Sequence, residues 1–257
     1  MNRFSTWPGA VFAAAALMTF CLPARADGLA DLKAALARLP AQTPVRASLE
    51  LKTLERRGED NDLDEKIGEA SVLIEDGAHG LQMTYPKDTR DRMDAESRQL
   101  GRDAAAKSPT LSALAKLDAS EYPAMLSAVP ALQRALDEST FKGERAEQWQ
   151  GKPARVLSFA VPATKLPSQQ RKYVKQFDGV LDIWIAADGT PLASRERDTI
   201  AGRAFIVVSF QGRDDEDSSF AVVGDRLVTL RKDVHLTSSG AGEHGEQRVV
   251  KTLELLP

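Results

Sequence analysis

Apolar residues at every second position, in short runs with short connections, restrict this chain more than any other feature. Val45, Ala47, Leu49 and Leu51 alternate with Arg46, Ser48, Glu50 and Lys52; Ala70, Val72 and Ile74 repeat the pattern, as do Leu81, Met83 and Tyr85 before Pro86. Successive strand side chains point to opposite faces, so each run reads as a strand buried on one side. The polar stretch Glu55 to Glu65 reads as a mobile hairpin tip, and Asp76-Gly77 as a turn. Connections this short cannot carry parallel crossovers, which leaves an antiparallel meander.

Alternation returns after a helical interval. Strands are expected over Thr140 to Trp149, Arg155 to Val161, Val180 to Ile185, Pro191 to Ile200, Arg203 to Gln211, Phe220 to Val223, Arg226 to Leu236 and Glu246 to Leu256. With the first meander this makes roughly ten antiparallel strands in one curved sheet. Such a sheet must cover its concave face, and three helical segments are available. Leu29, Leu32, Leu36 and Leu39 share one helical face before Pro40 and Pro44. A second, short helix is expected at about Pro167 to Phe177, opening on its proline.

The third segment is an insertion at 88–138. Residues 88–107 are charged and helix-compatible, and Ser108-Pro109 interrupts. Leu111, Leu114 and Leu117 then form one apolar stripe; Tyr122, Met125, Leu126, Val129, Leu132 and Leu136 form another, with Ser120 placed as an N-cap. Pro130 lacks an amide proton and clashes with the preceding turn, so a kink or two short helices are expected there. The fold class is therefore α+β: one half-barrel domain over 27–257, its concave face covered by helices. Neither a repeat of fixed period nor a Pro- or Ser-rich linker favours two domains.

The first 26 residues read as a cleaved secretory signal, with Arg3 before an apolar stretch from Ala10 to Leu22 and a small-x-small site at Ala24-Arg25-Ala26. An uncleaved anchor is the alternative, although the stretch falls short of the about 20 residues a membrane span needs. Cys21 follows Phe20, a poor neighbour for lipoprotein processing, so it is expected to leave with the signal. Without Arg3 and Arg25 the 34 basic residues become 32 against 37 acidic ones, a net charge of −5. That balance disfavours nucleic acid and anionic membrane surfaces as partners. The expected location is the periplasm, without a membrane span or a disulfide.

Motifs for chemistry are sparse. Gly240 to Gly245 spells G-x-G-x-x-G, yet a strand pattern and then Pro257 follow it, so a hairpin loop is expected and not a dinucleotide site. His79 near a turn, His235 in a strand and His244 in a loop share no metal-ligand spacing. The run Asp214 to Asp217 lacks the spaced ligands of a calcium loop and reads as a solvated hairpin tip. No nucleophile motif is present, and no cofactor or metal is expected.

The order of elements resembles the Lol-type periplasmic carriers of outer-membrane lipoproteins and their half-barrel relatives, which include periplasmic stress sensors. Local support comes from Leu181 to Leu192, where a strand ending in Trp184-Ile185 turns through Asp188-Gly189-Thr190 into Pro191-Leu192, and from the similarity of Phe205 to Leu256 to the family's last strands. The insertion at 88–138 is larger than the basic carrier has. The resemblance implies a non-enzymatic, monomeric carrier with an apolar interior for acyl chains, where each buried methylene contributes about 0.8 kcal/mol. Its partner would be an acylated lipoprotein or another lipid. Candidate lining residues are Leu49, Leu51, Val72, Ile74, Met83, Ile183 and Ile185 on the sheet and Met125, Val129 and Leu132 on the insertion. Helical apolar stripes are usually core, so those three could equally pack on the sheet. A second reading is a regulatory protein that binds another envelope protein through 88–107; a third is an envelope hydrolase.

Overall fold

The structure, a computed structural model, describes residues 27–59, 62–118, 121–204 and 208–257. The signal expected over 1–26 and the Ser120 cap lie outside these residues. Asp27 opens helix α1 (Gly28–Ala37), its carboxylate accepting the amides of Leu29 and Ala30, so that Leu32 and Leu36 turn inward. Strands β1 (Val45–Glu59), β2 (Asp62–Gly77) and β3 (Gly80–Thr84) form the first meander. Helices α2 (Lys87–Leu100), α3 (Pro109–Leu114), α4 (Glu121–Leu126) and α5 (Val129–Glu138) make up the insertion.

Pro130 breaks the helical run as its chemistry requires. It occupies the first turn of α5, where a missing amide proton costs nothing, and the chain changes direction at Ser127 and Ala128 between α4 and α5. Strands β4 (Thr140–Trp149) and β5 (Lys152–Ala160) follow, then a 3₁₀ turn at Ala163–Lys165, helix α6 (Ser168–Arg171), and strands β6 (Val174–Ile185), β7 (Pro191–Ala204), β8 (Val208–Val223), β9 (Arg226–Gly240) and β10 (Glu243–Leu255).

Among the described residues these ten strands form one antiparallel sheet in the order β3-β2-β1-β10-β9-β8-β7-β6-β5-β4, an α+β half-barrel. The first and last strands pair at its centre, with Leu49 opposite Leu253. The insertion leaves from one sheet edge, β3, and rejoins the chain at the other, β4. It therefore has to cross a face, and it crosses the one carrying the alternating apolar residues.

Four local expectations are corrected. Residues 55–59 and 62–65, expected within a mobile tip, belong to strands: the β1–β2 ladder runs to Glu59 opposite Asp62, held by the β10 backbone and by Arg56 on Glu65 at 2.7 Å. A strand needs paired amides more than an apolar face, so the ladder outlasts the alternation. Helix α6 is only four residues long, and Phe177 belongs to β6, opposite Ile200. The acidic run 214–217 lies in the middle of β8, paired with Asp198, Arg197, Glu196 and Arg195. Arginines satisfy its outward members, with Arg195 bonded to Asp217 and Arg213 2.6 Å from Asp215. The stretch 203–211 is not a strand of its own but is divided between β7 and β8, with 205–207 outside the described residues.

The covered face holds two apolar clusters. Leu49, Leu51, Val72 and Ile74 pack with Leu253 under Ala113, Met125 and Leu126. Leu157, Phe159, Leu181, Ile183 and Ile185 pack with Leu32 and Leu36 of α1 and Val129 and Leu132 of α5. Close backbone approach seats α3: a Cβ on Gly68 of β2 would lie 2.8 Å from the amide nitrogen of Ala113 and 2.9 Å from the carbonyl oxygen of Pro109. Glu96 of α2 fixes the start of α3 by accepting the amides of Thr110 (3.0 Å) and Leu111 (2.9 Å).

Candidate ligand cavity

Between α4–α5 and the concave side of β6–β10 lies a cavity of about 610 Å³. Its helix side is mostly apolar and small-residue-rich, with Met125, Ala128, Ala131, Leu132 and Ala135 beside the charged Glu121, Arg134 and Glu138. The alanines have too little volume to reach the sheet, and this leaves the space open. Two hydrogen bonds seat the helices at its rim, from the Ala128 amide to the Leu227 carbonyl at 2.7 Å and from the Thr229 hydroxyl to the Ala124 carbonyl at 3.3 Å.

The floor is built differently. Leu181, Phe220 and Thr229 share it with Glu196, Glu216, Lys232 and Lys251. Strand register puts Lys232 directly opposite Lys251 and Glu196 directly opposite Glu216, so like charges face each other across the ladder. Each has an opposite partner. Lys232 lies 2.9 Å from Glu216, Lys165 of the 3₁₀ turn bonds Glu196, and Lys251 bonds Glu121 at the start of α4. Lys251 has a side chain only 3% exposed, whereas that of Glu121 is 31% exposed. Paired charges of this kind are the condition for burying an ammonium at all.

Two residues further along β7 and β8, Asp198 faces Asp214. Both line a second, more open trough of about 670 Å³ that also contains Leu166, Ile200, Phe210 and Leu236. Burial pushes both carboxyl pKa values up; for Asp214 the charge of Glu216 adds to this, while Lys165 opposes it in both. Among the described residues the Oδ1 atom of each has no hydrogen-bond partner.

The ten residues expected to line a lipid site all lie on or against the covered face, in two groups. Leu49, Leu51, Val72, Ile74, Met83 and Met125 belong to the cluster beneath α3 and α4, and Val129, Leu132, Ile183 and Ile185 to the cluster beneath α1 and α5. Only Met125 and Leu132 of the ten reach the 610 Å³ cavity. The charged floor was missed, although a signal existed. Val249, Lys251 and Leu253 keep strand phase, so a lysine in the apolar phase of a strand marks a buried charge.

The histidines stay apart. His79 lies in the β2–β3 turn, His235 is 2.9 Å from Glu246 on the outer face, and His244, expected in a loop, falls in β10. Among the described residues no three His, Cys, Asp or Glu side chains converge as metal ligands. Ala241 and Gly242 have positive φ and form the tight turn between β9 and β10, so the G-x-G-x-x-G letters belong to a hairpin. Among the described residues no helix is long and apolar enough to cross a membrane.

Fold and cavity together define a helix-covered antiparallel half-barrel with one mostly apolar wall and a charge-paired floor. No family model, curated protein or solved structure matches the chain, so any assignment of function rests on this geometry and on the order of its elements.

Proposed function

We propose that this protein is a non-enzymatic carrier or binder of acyl-bearing amphiphiles, of the type that sorts outer-membrane lipoproteins through the periplasm. The observation that carries this reading is the 610 Å³ space between the insertion and the concave sheet face, with a mostly apolar helix wall over a polar floor. Ligand pockets commonly enclose about 300–1,000 Å³ behind mostly apolar walls with a few placed polar groups. An acyl chain needs only a dry wall, and burying each methylene contributes about 0.8 kcal/mol. The polar row then orients the head of the ligand and not its chain.

The test is native mass spectrometry of the protein isolated gently from its own cells, beside an Ala135→Trp variant. Ala135 lines the cavity, so an indole there fills the space from the helix side. The expected result is a lipid or acylated peptide retained in stoichiometric amount by the unaltered chain and lost from the variant. Equal retention by both, or none by either, removes the reading. A second reading, a regulator that binds an envelope protein, draws on α2. Its outward side is charged and exposed, with only Thr89 and Glu96 buried. Envelope pull-down separates the two: a regulator retains a membrane protein, a carrier an acylated one.

A further inference from the structure

The charge arithmetic of the cavity floor goes one step further and names the head group. The geometry points to an amphiphile with a singly charged anionic head, a carboxylate, which binds Lys251 in the place now taken by the Glu121 carboxylate. This inference rests on the amphiphile-binding reading above and deepens it.

Lys251 is almost wholly buried, and Lys232 stands directly opposite it on the neighbouring strand. Glu216 serves Lys232 at 2.9 Å, which leaves Glu121 as the anion on Lys251. Glu121 differs from the other floor acids in origin, since it comes from the helical cover and not from the sheet. It is the first residue of α4 with its side chain about a third exposed, so a change of rotamer that gives up the long 3.4 Å bond from the Asp118 amide carries its carboxylate to water without moving the helix.

A neutral head that displaced Glu121 would leave a buried ammonium uncompensated beside a second lysine, which is strongly unfavourable. An anionic head conserves the charge balance and replaces one charge-assisted hydrogen bond with another. Glu121, Lys232 and Lys251 all line the same cavity as Met125, Ala128 and Leu132, so the cations and the apolar wall are within reach of one ligand. Glu121 is thus a resident stand-in for the head group, and it disfavours ligands that bring no anion of their own.

Calorimetric titration with palmitate and with hexadecanol tests this, because the two share a chain and differ in head charge. In the unaltered protein palmitate is expected to bind roughly tenfold or more tighter, as befits a charge-assisted hydrogen bond. E121Q removes the internal competitor and tightens palmitate without tightening hexadecanol. K251M abolishes the palmitate advantage and leaves hexadecanol binding in place. Hexadecanol binding equal to palmitate in the unaltered protein overturns the head-group inference alone and needs no variant to fold. Failure of both probes to bind overturns the amphiphile reading along with it.

Discussion

Removing either partner of the Lys251–Glu121 pair breaks the same ion pair, yet the two losses are expected to differ several-fold in stability. Lys251→Met takes away the buried ammonium and puts an apolar chain of similar length among Met125, Thr229 and Phe220 along the same cavity wall. The Glu121 carboxylate left behind is 31% exposed and hydrates. Exchanging a buried charge for a well-packed apolar group is often close to neutral, so the cost is about 0–1 kcal/mol. Glu121→Ala does the reverse. It strands an ammonium whose side chain is 3% exposed, directly across the ladder from Lys232. Leaving such a charge unpaired costs about 3–5 kcal/mol, and water entering the adjoining cavity brings the value toward the lower end. At about 2–4 °C per kcal/mol for a domain of this size, Glu121→Ala lowers Tm by about 6–12 °C, and Lys251→Met by less than about 4 °C. Urea unfolding followed by circular dichroism measures both at constant m. The double variant is expected to return close to Lys251→Met, a non-additivity that isolates the pair. Equal single losses with an additive double variant would refute the reasoning.

Three further perturbations test the architecture around the cavity. Gly68→Ala pushes a methyl group against the α3 backbone at Ala113 and Pro109, with an expected cost of about 1–3 kcal/mol and hydrogen-exchange protection lost first in α3. Asp214→Asn removes one of two facing carboxylates and stabilises the chain by about 0.2–1 kcal/mol at pH 7, the scale of a like-charge cross-strand pair. Burial raises the Asp214 pKa, so the folded state binds the extra proton; the unaltered chain gains stability as pH falls toward the ordinary carboxylate value, and the variant's advantage shrinks in that window. Asp225 behaves oppositely. The Thr43 hydroxyl and the Gln42 and Thr43 amides push its pKa down to about 2, so its contribution is complete above the unfolded carboxylate value near 3.9 and is lost as pH falls toward 2. Urea midpoints measured from pH 5 down to 2 are expected to fall less steeply for Asp225→Asn than for the unaltered chain; parallel slopes would contradict this.

What the sequence made legible, and what it hid, follows from where each pattern is enforced. Strands with one face against the core must alternate, and Val45 to Leu51 and Ala70 to Ile74 show the period without interruption. The insertion announced its apolar stripe because α3, α4 and α5 press it onto that face. Beyond the core the alternation has no work to do. The paired backbone of Arg56, Arg57 and Glu65 therefore looked like a loop, though cross-strand ion pairs hold it in the ladder. The acidic run of β8 misled for a related reason: its partners Arg195 and Arg197 lie about twenty residues away, too far for a local pattern to register. The central β1–β10 pairing joins segments nearly two hundred residues apart and left no local trace. Of the site, Met125 and Leu132 were legible as a helical stripe; Lys232, Lys251, Glu196 and Glu216 were not, because charge on a strand reads as solvent-facing unless its phase is checked against its neighbours.

That phase also accounts for the cavity. The covered face is apolar at both flanks, through Leu49 and Val72 on one side and Leu157 and Ile183 on the other, and there the helices sit in direct contact with it. Across β7 to β10 the same inward phase carries Ser194, Glu196, Glu216, Ser218, Lys232 and Lys251. A helix surface pressed onto that row would strip water from four charges that are each held by one ion pair, at a cost of several kcal/mol for each one left without compensation. The alanine-rich side of α5 therefore stands off from the sheet at this point while its start stays anchored through the Ala128 amide. The small alanine side chains above and the charges beneath together account for the opening. Replacing Glu196 and Glu216 together with Lys165 and Lys232 by leucines and methionines should close the space, raise stability and abolish amphiphile uptake in one step. A variant that keeps the ligand after such a replacement would show that these four charges do not hold the cavity open.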